Sequence, residues 1–325
     1  MRMRAKSGWI RTHRTFFLLV FLLSAGAISD ERAHGQLDDA AAMRDRIQQL
    51  EAENAQLRNL LNEVKSLVTT IPSGEKEPNA TSTRFRIFVE PGEWGSSSVA
   101  DVKKVCESAA MMFTPHLKSG VAAPMLLQND GTGPITLFRR GGNNEHILRL
   151  DTKNRAWAQL AFQFSHELGH VMCNYRDVPN QQLWFEETLC EVASLFALKK
   201  MGEEWKKNPP YSNWKSYSEA LRDYAAQRLK TKDRNGFTLE EIYRANLSEL
   251  RATATNRDIN NQLASKLLPM FEETPAAWEA VRYLNRGPAE ENETFEGYLH
   301  GWHQRVPDGQ KHVVKKISAG FGITF

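Results

Sequence analysis

From Ala40 to Val68 the apolar positions recur every three and four residues, so a heptad can be written through the segment. Ala40, Ile47, Asn54, Leu61 and Val68 fall at a, and Met43, Leu50, Leu57 and Val64 at d. That period predicts a coiled coil over residues 38–68. One polar residue at a, Asn54, pairs with its partner only in register, which favours a parallel homodimer. A single amphipathic helix lying on the rest of the chain is the other reading of the same pattern. Residues 69–83, rich in Pro, Ser and Thr, then form a linker.

The pattern changes at residue 84. "RFRIFVEP" alternates and predicts a strand, as do "APMLLQ", "GPITLFRR" and the end of "GGNNEHILRL". A helix is expected between the first two, over Val99–Phe113. After Asp151 the alternation stops and a helical period takes over. Helices are expected near Asn154–Asn174, Gln182–Met201, Tyr217–Lys230, Leu239–Leu250, Asp258–Phe271, Pro275–Leu284 and Thr294–Arg305. Residues 84–325 therefore read as one α+β domain: a small N-terminal β-sheet with helices, followed by a mostly helical C-terminal part, preceded by the coiled-coil helix.

Composition changes this picture at one end. The chain has 325 residues and a formal charge of +3, but Arg2, Arg4, Lys6, Arg11 and Arg14 lie in the first fourteen, and without them the charge is −2. The basic excess marks a leader and not a nucleic-acid surface, and no nucleic-acid-binding motif is present. "FFLLVFLLSAGAI" after it is short for a membrane span, and "AGA" supplies small residues for cleavage after Ala27. Residues 1–27 read as a signal peptide, with a secreted or otherwise extracytoplasmic location. An uncleaved signal anchor, which would put the protein on a membrane, is the alternative. Three cysteines do not make a disulfide framework. Cys173 and Cys190 are the pair best placed for one bridge, and three buried thiols are an equal reading.

The candidate chemistry sits in "FSHELGHVM", Phe164–Met172. Trp157, Leu160, Ala161, Phe164, Leu168 and Val171 form an apolar stripe, and His166 and His170 lie off it. At i and i+4 the two imidazoles share a helix face and can share one metal ion. Composition alone would produce H-E-x-x-H about 0.02 times in a chain of this length. A third ligand is needed. "LWFEETLCEVASLFAL", Leu183–Leu198, carries Glu186, Glu187 and Glu191 in a segment otherwise fit for a core, where a carboxylate requires a partner or a metal. Glu187 and Glu191 share a face, suited to a ligand and a supporting acid. Glu186 is expected to point elsewhere, into solvent.

HELGH followed by W-F-E-E-T-L-C-E resembles the gluzincins, the thermolysin and aminopeptidase branch of the zincin metallopeptidases. The resemblance covers about Ala156 to Leu198, and loosely the layout of strands before and helices after. It implies Zn2+ held by His166, His170 and Glu187, Glu167 as general base toward water in a fourth position, and Glu191 supporting a ligand. The substrate implied is a peptide or protein. Sixteen residues separate His170 from Glu187, fewer than in thermolysin, and Thr188 stands where related short-gap families have Gly. Glu191 would suit the longer spacing, but only Glu187 leaves an acid at i+4. The family's oxyanion-stabilising residue has no assigned counterpart; Tyr211, Tyr217, Tyr243, Tyr298, His300 and His303 are candidates. A zinc-containing binding module without catalysis, on the same stalk, is the alternative function; Cys173 as a fourth ligand would close such a site.

Overall fold

The computed structural model describes residues 85–118, 121, 123–230, 236–288 and 293–325, together with Arg46, Ile47, Leu50 and Asn54. The chain divides into two units, Met1–Ala80 and Thr81–Phe325. In the first, those four residues are helical and exposed, Ile47 at 50% and Leu50 at 41%. The signal peptide, the linker and the rest of the coiled-coil segment lie outside the described residues. No helix among the described residues is long and apolar enough to cross a membrane.

The second unit is α+β. Strands β1 (Ile87–Val89), β2 (Met125–Gln128), β3 (Ile135–Arg140) and β4 (His146–Arg149) form one mixed sheet in the order β1-β2-β4-β3. β1, β2 and β4 run parallel, with Met125 opposite both Ile87 and His146. β3 runs antiparallel to β4 at the edge, Thr136 opposite Leu148, with an irregularity between Thr136 and Arg140. Period-two burial fixes the register of β2: Met125 and Leu127 are wholly buried while Leu126 and Gln128 are half-buried. Helix α1 (Val99–Met111) links β1 to β2; Ser98 caps it, its side chain accepting from the Asp101 amide.

Two helices carry the site. α2 (Trp157–Cys173) begins later than expected, after Ala156 and without a side-chain cap. The backbone of Asp151 is bonded to the Gln163 side chain. α2 stops at Asn174, whose left-handed conformation (φ 57°) turns its amide back onto the His170 and Val171 carbonyls. α3 (Leu183–Trp205) is longer than expected and buried over nearly its whole circumference, so it runs through the core. The two helices touch at Gly169. A Cβ there would lie 2.9 Å from both the Cα and the Sγ of Cys190, so only glycine allows this approach.

The remaining helices enclose α3: α4 (Tyr217–Lys230), α5 (Leu239–Ala245), α6 (Leu247–Ala252), α7 (Arg257–Glu273), α8 (Ala277–Val281), α9 (Phe295–Arg305) and α10 (Lys311–Gly320). The helix expected over Leu239–Leu250 is broken at Asn246, and α10 was not expected. Aromatic packing seats the first turn of α3. Trp184 and Phe185 are fully buried against Phe295, with ring centroids 4.6 and 5.2 Å away. Trp184 also stacks on Tyr243 at 5.5 Å.

Candidate metal centre

The aromatic pair that seats α3 also orients the acids that follow it. Glu187 turns toward α2 and lies across the two histidines. His166 Nε2 is 3.1 Å from Glu187 Oε2, and His170 Nε2 is 3.6 Å from Oε1. The imidazole rings stand 5.2 Å apart. One nitrogen of each ring thus faces one carboxylate. The other nitrogen of each ring has an acid of its own. His170 Nδ1 lies 2.7 Å from Glu186 Oε1, and His166 Nδ1 lies 3.8 Å from Glu191 Oε2.

Glu186 corrects the sequence reading: it is 2% exposed, not directed to solvent. The face of α3 that carries Glu186 is not a surface, because other helices pack over this part of the helix. Its second oxygen accepts from Asn285 Nδ2 at 2.7 Å, and Tyr298 OH donates to Asn285 Oδ1 at 2.7 Å. Glu191 Oε1 accepts from Asn261 Nδ2 at 2.7 Å. Glu167, 2% exposed, reaches neither imidazole by hydrogen bond; Thr136 on β3 donates to its Oε2 at 2.7 Å. All of these acids line a cleft of about 670 Å3 that also takes in β3 and the start of α7.

The electrostatics are those of a cation site. Burial alone would lower the His170 pKa, but the Glu186 hydrogen bond and the charges of Glu186, Glu187 and Glu167 raise it to about 10. Glu187 is pulled below the usual carboxylate range: burial opposes this, and the His166 hydrogen bond with the charges of His170, His166 and Arg257 overcomes it. Two imidazole nitrogens and a carboxylate facing a cleft are a donor set that zinc takes, with a carboxylate hydrogen-bonded behind His170 and another 3.8 Å behind His166. Cys190 Sγ also comes within 4.8 Å of a ring nitrogen of both histidines. Unlike Glu187 it is fully buried and does not line the cleft. Burial, contact with Cys173 and the charges of Glu186 and Glu187 push its thiol well above its usual pKa. Glu187 is therefore the better third donor. Cys106, Cys173 and Cys190 are all free thiols.

The named oxyanion candidates do not line the cleft; Tyr175 and Tyr224 do. Tyr298 supports Asn285 from behind, and Tyr243 belongs to the aromatic packing at Trp184. His300 and His303 pack on Phe325, and Tyr211 on Trp214. The Tyr175 hydroxyl is committed, donating to the Leu137 carbonyl at 2.9 Å, with His146 Nδ1 3.1 Å away. Thr136, Asn261 and Asn285 carry no sequence signal of their own, since each reaches the site through a tertiary contact.

No family model, curated protein or solved structure matches the chain.

Proposed function

We propose that the protein is an extracytoplasmic zinc-dependent metallohydrolase of gluzincin type that cleaves peptide amide bonds. The observation that carries the reading is the convergence of His166 Nε2, His170 Nε2 and Glu187 in a cleft that Glu167 also lines. His166, His170 and Glu187 would hold the ion. Zinc bound there would lower the pKa of water in its open position and polarise a carbonyl. Glu167 has the role of general base: its carboxylate sits beside the ligands without bonding them, and Thr136 fixes its orientation. It accepts a proton from the attacking water and delivers one to the leaving amine. Glu186 holds the His170 imidazole in the tautomer that leaves Nε2 toward the ion, and Glu191 stands 3.8 Å behind His166 Nδ1.

A peptide suits the cleft because β3 is an edge strand. An extended chain can pair with its free side, and Ile135 and Phe138, 46% and 54% exposed, offer apolar contact beside the site. The signal peptide and the coiled-coil stalk belong to the same proposal, and together they describe a secreted or periplasmic homodimer. The proximity of Cys190 favours a second reading, a closed zinc site without catalysis.

Glu167→Gln tests the choice. It should keep its zinc and its melting temperature while hydrolysis of unfolded casein or a mixed peptide library falls by at least about 10²–10⁴-fold. Glu187→Ala should lose zinc and activity together, and Cys190→Ala should keep its zinc. Zinc-loaded wild type that hydrolyses nothing, with metal lost in Cys190→Ala, would establish the closed site instead.

A further inference from the structure

Three arginines line the cleft: Arg176, Arg228 and Arg257. Two are already engaged. Arg176 donates to the Gly287 carbonyl. Arg228 lies over the Phe162 ring at 4.3 Å and donates to Tyr224 OH at 3.4 Å. Arg257 differs. It is the first residue of α7, it is exposed, and it makes no hydrogen bond or ion pair among the described residues. Its charge nevertheless reaches Glu187. A guanidinium left unpaired in a ligand cleft offers a planar fork to a carboxylate.

We propose that this cleft selects peptides presenting a carboxylate near the scissile bond, and that Arg257, which lines the same cleft, is the group that reads it. The proposal rests on the peptidase reading above. Its one-sidedness follows from the other charges. Glu167, Glu186, Glu187 and Glu191 cluster around the histidines and repel an anionic group that is not itself on the metal. A carboxylate is therefore steered to the Arg257 side, while the apolar side chains of Ile135 and Phe138 add contact without charge. Two sources present this chemistry, a free C-terminus and an Asp or Glu side chain.

The test measures binding to zinc-loaded Glu167→Gln protein by calorimetry, so that no turnover is needed. The probes share one short sequence. One has a free C-terminal carboxylate, one is amidated, and one is amidated with Glu in place of Gln near the bond. Either carboxylate-bearing peptide, or both, should bind about 10-fold more tightly than the amidated neutral one, and which of them does so identifies the source. Adding Arg257→Ala should remove the difference, Arg257→Lys should keep part of it, and Arg257→Glu should reverse it in favour of a Lys-bearing peptide. Equal binding of all three peptides overturns the proposal. So does a preference that survives Arg257→Ala, since the ion itself then holds the carboxylate. Selective binding to a wild-type protein that cleaves none of the peptides would keep the carboxylate site and sink the peptidase reading. Cleavage without selectivity would do the reverse.

Discussion

In the proposed zinc site, the pair His170–Glu186 would couple metal binding to proton release. In chelator-stripped protein the Nδ1 proton faces Glu186 at 2.7 Å, and the Nε2 proton points to Glu187, where a cation would sit. With a pKa raised to about 10, His170 is protonated over neutral by about 1000-fold at pH 7. Zinc bound as proposed would have to displace that proton, so its apparent affinity should climb by about tenfold per pH unit from pH 7 to 9, with close to one proton released per ion from this residue. The stability of stripped protein should move the opposite way. A histidine raised from 6.5 to about 10 contributes its full stabilisation below pH 6.5 and loses it as pH rises through about 10. Glu186→Gln removes the hydrogen-bonded charge. It should flatten both slopes above pH 7 and lower the affinity at pH 9 by about 10–100-fold. Competition against a fluorescent chelator gives the affinities, calorimetry in two buffers of different ionisation enthalpy counts the protons, and urea melts give the stability. A zinc affinity that does not change from pH 7 to 9, with no proton released, would refute the reasoning.

Two further outcomes follow from the packing and the stalk. Gly169→Ala puts a methyl 2.9 Å from the Cys190 Cα, which cannot swing away, so the variant should lose about 1–3 kcal/mol in a urea melt and bind zinc more weakly as α2 and α3 separate. The mature protein should be a dimer by light scattering, and deletion of residues 38–68 should leave a zinc-binding monomer; full-length protein that stays monomeric at high micromolar concentration would rule out the stalk.

The sequence was most legible where one period governed a segment. His166 and His170 could be placed on one face because helical spacing alone decides it. The positions of the strands along the chain and the shift from sheet to helices could be read for the same reason. Glu187 and Glu191 stood out as charges in an apolar run. Glu186 was misread because a helical wheel says which residues point apart, not whether the far side is water. Its partner Asn285 lies 99 residues downstream, and nothing local announces it. α10 was missed because its apolar face, Val313, Val314 and Ile317, is too short to establish a period amid its lysines. Thr136 reads as an ordinary strand residue, and only the sheet order brings it to Glu167.

The burial of α3 also bears on how the chain comes together. A helix apolar on nearly every side has no stable place in water, so it is safe only once its surroundings exist. Half of those surroundings, the sheet and α2, precede it in the chain and are there to receive it as it emerges. The other half, from α4 and α7 to α9, follows. A chain that stops shortly after Trp205 would leave one flank of α3 bare, along with the acids that need Asn261 and Asn285 to neutralise their burial. Synthesis must therefore carry this segment through a stage at which it is half-covered, and any factor that escorts the chain has its natural hold there.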